Sequence, residues 1–199
     1  MTTRNNGPAI TRRRKQWWTE PEWREYIVKL CQARWLLENF LDNMPLTRGL
    51  RTAHVDAFLK AHRELEYAMI ALENTVVEHL GGEDRVPGGA ISFCQGRFAE
   101  WVKDVKIPRQ HYPRGREPLL SPAEWTVWGA RAKDADGLLG RAIVQVYRAK
   151  GKDVKRHIRR LEKARKALLK GRSGLDDVVC DQHPDWRDAT KVFFGASAS

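Results

Sequence analysis

Residues 52–80 read TAHVDAFLKAHRELEYAMIALENTVVEHL, and Gly81-Gly82 follows directly. Val55, Phe58, His62, Leu65, Met69, Leu72, Val76 and His79 recur at steps of three and four, a seam with a period of about 3.5. Ala57, Leu59, Ala61, Ala68, Ile70, Ala71 and Val77 widen it beyond what a two-stranded coil needs. A helix of this length is a rod of roughly 42 Å. The glycine pair should stop it, because glycine readily takes the left-handed conformation of a helix cap. So apolar a rod must be covered on several sides. The stretch therefore predicts an all-α protein, a four- to five-helix bundle around a long central helix at about 52–80.

The flanking sequence supplies the covering elements. Thr19 and Glu22 are spaced as a capping box, Pro21 sits in the first turn, and Trp18 and Trp23 are placed as a hydrophobic staple. The helix they open carries Trp23, Ile27, Leu30, Arg34, Leu37 and Leu41 on one face and should end near Asn43, before Met44-Pro45. A short connection makes it an antiparallel neighbour of the long helix. A third helix is expected over about 90–105, followed by a loop with Pro108, Pro113 and Pro118.

Ser121, Pro122 and Glu124, with Leu120 and Trp125 as staple, open a fourth helix that runs to about Lys150. Its internal Gly129, Gly137 and Gly140 predict a close crossing with a neighbour. Asp153 is placed to cap a fifth helix to about Lys170, ended by Gly171 to Gly174. Leu175–Cys180 then reads as an acidic and apolar connector, with a last short helix from Asp185 to Phe194. The organisation expected is a disordered basic arm (1–16), a bundle (17–172), and a connector, short helix and flexible end (173–199).

No apolar run reaches the roughly 18 residues of a membrane span, and no signal-peptide pattern is present. Three widely spaced cysteines, Cys31, Cys94 and Cys180, argue against a disulfide framework and for a reducing compartment. A soluble cytoplasmic protein is expected.

The net charge is +11, which points to a polyanionic partner. The charge is placed rather than spread. The arm holds Arg4, Arg12, Arg13, Arg14 and Lys15, and the proline-rich loop holds Lys106, Arg109, Arg114 and Arg116. Residues 148–172 hold a third basic group, relieved only by Asp153 and Glu162. The three patches carry +5, +4 and +10, so the rest of the chain is acidic, at 11 − 19 = −8.

Wound as a helix, Asp153–Lys170 divides into two sides. Val154, Ile158, Leu161, Ala164 and Leu168 form a core face. Lys152, Arg156, Arg159, Lys163, Lys166 and Lys170 form a line on the opposite side, about 27 Å long, with Lys155 and Arg160 flanking it. Like charges at i, i+3 and i+4 repel, and a merely solvated helix alternates signs. An external line of negative charge accounts for the pattern, and nucleic-acid backbone, RNA or DNA, supplies one. Arg12, Arg13, Arg14, Arg109, Arg114 and Arg116 are further candidate contacts. Trp17 and Trp35 are candidates for stacking on an unpaired base, with staple packing the plainer reading of Trp17-Trp18.

No zinc finger, RNA-binding sheet motif or helix-turn-helix recognition helix is present. Binding along the backbone, largely independent of sequence and without catalysis, is expected. An acidic protein surface is the competing partner. A membrane is disfavoured, because the apolar face is needed for the core.

In size, helical content and basic face the whole chain resembles the small helical subunits of multi-subunit CRISPR effector complexes. The resemblance is one of architecture and composition, with no shared motif, so no residue role is carried over. It implies a non-cleaving subunit that lines a guide or target strand beside other subunits or copies of itself.

The runner-up is a metal-dependent nuclease using Asp176, Asp177, Asp181 and His183. Cys180 and His183 have ligand-like spacing, but no second Cys/His pair completes a structural zinc site. An acidic connector is the plainer reading. His62 and His79 on the seam read as buried polar residues. No cofactor or metal is expected.

Overall fold

A computed structural model describes residues 17–44, 47–89 and 119–195. The third helix expected over 90–105, the proline-rich loop with Arg109, Arg114 and Arg116, and the arm with Arg12, Arg13 and Arg14 lie outside the described residues. Within them the chain is helical without strands: α1 (Glu20–Asn43), α2 (Thr52–Leu80), α3 (Pro122–Val146), α4 (Val154–Gln182) and a single turn, α5 (Lys191–Phe194).

The four long helices pack in the ring order α1, α2, α4, α3, with α5 against α3 and α4. The start chemistry works as read. Glu22 reaches back to the Thr19 amide at 2.7 Å, and Glu124 to the Ser121 amide at 2.8 Å. Trp18 and Trp23 are both buried, with ring centroids 4.6 Å apart. Gly81 takes the left-handed conformation at φ 84° and closes α2.

Two polar hubs fix the directions of the helices. At one end His79 Nδ1 accepts from the Trp18 amide (2.9 Å) and from Trp23 Nε1 (3.2 Å), and its Nε2 donates to the Lys150 carbonyl (2.8 Å). The start of α1, the end of α2 and the α3–α4 turn thus meet on one imidazole. At the other end the Gln182 amide accepts from Trp125 Nε1 (3.0 Å) and donates to Thr47 Oγ1 (2.9 Å). Neighbours around the ring are therefore all antiparallel, as short connections favour. His79 is a polar hub, but half-buried rather than buried as expected. His62 is half-buried and bonded to Glu38 at 3.1 Å.

The expected stop at Gly171 is overturned. α4 runs on without a break through Gly171 and Gly174 to Gln182, so the acidic connector expected from residue 173 is helix as far as Gln182. Both glycines serve close approach rather than termination. A Cβ on Gly171 would lie 2.6 Å from the ring of Phe58, and one on Gly174 would lie 2.6 Å from the ring of His54. Phe58 is itself stacked on Phe40 at 4.2 Å and cannot yield. The missing side chains let α4 lie tightly on α2. The crossing expected from glycines in α3 is met at Gly129, where an added Cβ would run into the backbone of Val192 in α5. The last helix is also shorter than expected, because residues 184–190 form turns before Lys191.

The inner face of α4 buries polar residues that its apolar pattern does not announce, His157 and Arg172 among them. His157 is fully buried, its Nδ1 donating to the Ala68 carbonyl at 2.7 Å and its Nε2 accepting from the Tyr26 hydroxyl at 2.6 Å. Burial pushes its pKa down from 6.5 to about 4. The unfolded imidazole takes up its proton first as pH falls, so the stability present above about pH 6.5 is lost progressively toward pH 4. The shift corresponds to roughly 3 kcal/mol. Urea denaturation at several pH values should show His157→Gln losing much less stability over this window than the parent. An equal pH dependence in the two proteins would contradict this role for His157.

Candidate nucleic-acid interface

The candidate interface lies on α4, whose inner face is committed to the core. Val154, Ile158, Leu161, Ala164, Leu168, Leu175 and Val179 are buried. The helical period then leaves Lys155, Arg156, Arg159, Lys163, Lys166 and Lys170 exposed, as the sequence predicts, and Lys152, in the bend just before the helix, is exposed too. Among the described residues none of these seven cations forms an ion pair.

The remaining cations of the helix are treated differently. Arg160, half-buried, pairs with Glu64 at 2.8 Å. Arg165 pairs with Asp136 of α3 at 2.7 Å, a hydrogen bond that raises its pKa. Arg172 is 4% exposed, bonds to Asp136 at 2.8 Å and also donates to the Phe193 carbonyl, while burial draws its pKa down. Arg160, predicted as a flanking contact, is thus already engaged. Sequence reasoning did not single out Arg165 and Arg172. Their place on the inward side of the helix was the available signal, since a cation there requires a partner; Asp136 could not be named from spacing.

The acid within the stretch does not neutralise the crest. Glu162 accepts from the Tyr147 hydroxyl at 2.8 Å. Beyond Lys170 the same exposed line continues with Asp177 and Asp181, at i+7 and i+11. Cations thus occupy the first turns of α4 and anions the last, the reverse of what the helix macrodipole favours. Neither end gains local stability from its charges. The crest is a cationic track with an acidic end.

The residues of the nuclease alternative serve other contacts. His183 Nε2 donates to the Leu120 carbonyl at 2.6 Å. Asp177 and Asp181 are exposed on the crest, while Asp176 is half-buried, its carboxyl pKa raised by burial and by Asp177. Among the described residues no three of Asp176, Asp177, Asp181, Cys180 and His183 converge as ligands. Glu38, His62 and Glu66 do approach one another closely enough to hold an ion. There the Arg34 guanidinium, 2.9 Å from Glu38, already supplies the positive charge.

The tryptophan pair divides. Trp18 is buried in the staple, whereas Trp17 is 50% exposed with its ring edge-on to His79 at 4.5 Å. Trp35 is half-buried on α1. Among the described residues no helix is long and apolar enough to cross a membrane. No family model matches this chain, and neither does any curated protein or solved structure.

Proposed function

We propose that this protein binds the backbone of a nucleic acid along α4, largely without regard to sequence and without catalysis, as one subunit of a larger assembly. The observation that carries this reading is the sorting of cations within one helix. The two inward ones, Arg165 and Arg172, and the flanking Arg160 are each matched to an acid, while six outward ones, with Lys152 just before the helix, stand together without ion-pair partners among the described residues. Such a row costs the free protein through mutual repulsion and an unfavourable dipole. Phosphates relieve both and release counterions as they bind.

The track from Lys152 to Lys170 spans roughly 27 Å, and Asp177 and Asp181 bound it by repelling further phosphates. The resemblance in size, expected helical content and basic face to the small subunits of CRISPR effector complexes, drawn from the sequence alone, supports a non-cleaving role in such an assembly.

Fluorescence anisotropy with labelled RNA and DNA tests this reading. Lys163→Glu/Lys166→Glu should weaken binding by at least about tenfold at low salt with an unchanged far-UV spectrum, because both side chains are exposed. Undiminished affinity in that variant would contradict the proposal.

A further inference from the structure

The crest of α4 is bracketed by aromatic rings. On one flank Arg160 lies over the ring of Tyr67 from α2, 5.1 Å from its centroid. On the other flank Glu162 holds the hydroxyl of Tyr147, which follows α3, at 2.8 Å. At about 100° per residue, Arg160 and Glu162 sit roughly 80° to either side of the crest and about 3 Å apart along the axis. Each flank thus carries a phenol ring in contact with a residue next to the crest, Arg160 on one side and Glu162 on the other. The rings are well exposed, Tyr67 at 46% and Tyr147 at 52%, although aromatic side chains in a bundle are normally spent on its core. α2 and the α3–α4 turn thus each contribute an accessible ring beside the crest.

We propose that the nucleic acid bound along α4 is single-stranded, its phosphates following the cations and its unpaired bases stacking on Tyr67 and Tyr147. This rests on the backbone-binding reading and names the ligand class. Lysines and arginines on the crest serve a duplex and a single strand equally. The flanking rings do not, because a base offers its face to an aromatic side chain only when it is unpaired and unstacked. In a duplex those faces are stacked on one another, and the tyrosines would meet sugar and phosphate alone. Trp17 adds a third exposed ring near the start of the track, one imidazole away from the Lys150 carbonyl.

The test compares the full-length protein with Tyr67→Ala/Tyr147→Ala, Tyr67→Phe/Tyr147→Phe and Lys163→Glu/Lys166→Glu. The probes are labelled oligouridylate, oligothymidylate and a blunt DNA duplex. The parent should prefer the single strands. The alanine pair should lose about fivefold or more per ring on single strands, the range of base–aromatic stacking, and nothing on the duplex. The phenylalanine pair, which keeps the rings but not the bond to Glu162, should match the parent.

Stacking is refuted by an alanine pair that binds single strands like the parent, by equal losses on single strand and duplex, or by a parent that prefers the duplex. If the charge reversal abolishes binding while the alanine pair does not weaken it, the stacking proposal fails and the backbone reading stands. A parent that binds none of the probes overturns both. Each single alanine variant carries the same test at half the effect should the pair fold poorly.

Discussion

Raising salt from about 50 to about 400 mM should weaken binding of nucleic acid to this protein by about four orders of magnitude. The expectation follows from the number of cations on the crest of α4. If five or six of them meet phosphates, log affinity falls against log salt with a slope of about −4 to −5. The contacts are solvent-exposed and carry no buried pairing, so little of the affinity should survive screening. An acidic protein partner would give a different result. Its carboxylates lack the condensed counterion atmosphere of a nucleic acid, and rim charges chiefly affect the rate of encounter. A shallow dependence would therefore point away from a phosphate backbone. Anisotropy titrations at four or five salt concentrations measure the slope.

Replacing Asp136 by alanine should destabilise the bundle by about 3–5 kcal/mol, the loss expected when one partner of a buried ion pair is removed. Asp136 is the shared acceptor of Arg165 and Arg172, at 2.7 and 2.8 Å. Without it the 4% exposed Arg172 keeps the Phe193 carbonyl, the face of the Phe194 ring and the charge of Asp176, with no carboxylate hydrogen-bonded to it. The same guanidinium fastens α5 to α4 through Phe193, so the closing turn should loosen as well. In a chain of this size the loss corresponds to a fall in Tm of roughly 6–20 °C. Arg172→Met in the Asp136→Ala background should restore much of it, because a hydrophobic side chain needs no partner there. Urea denaturation of the two single variants and the double variant gives the cycle. Additive losses would show that the pair is not coupled and would contradict this account of why α4's inner cations differ from its outer ones.

What the sequence makes legible depends on whether the deciding chemistry is local. The capping boxes at Thr19 and Ser121, the Trp18–Trp23 staple and the seam of α2 from Phe58 to Val76 are set by residues within a turn or two of one another. They are found largely as read, although Leu59 and Ile70, expected to widen the seam, are exposed. The exposed line of α4 is legible for the same reason, since helical period alone decides which side faces outward. Gly171 and Gly174 were misread because glycine ends a helix and also admits a close neighbour. Which role applies depends on Phe58 and His54, which lie on a different helix. His157 and Asp136 were passed over on the same ground. Their partners, Tyr26 and Ala68 in one case and Arg165 and Arg172 in the other, are brought to them only by the fold. The tyrosines beside the track show the limit most clearly. Tyr67 lies off the seam of α2 and Tyr147 just past the end of α3, and nothing in either neighbourhood links them to Arg160 or Glu162.

The most direct measurement is the salt dependence of binding for the parent and for Lys163→Glu/Lys166→Glu on the same labelled single strand. If α4 is the backbone contact, the parent's slope on a single strand, about −3.5 to −4.2 for five or six phosphates, should become shallower by about 1.4, since two phosphate contacts are removed. An affinity lowered in the variant with an unchanged slope, or no change in either, would place the phosphates elsewhere on the protein and contradict the central claim.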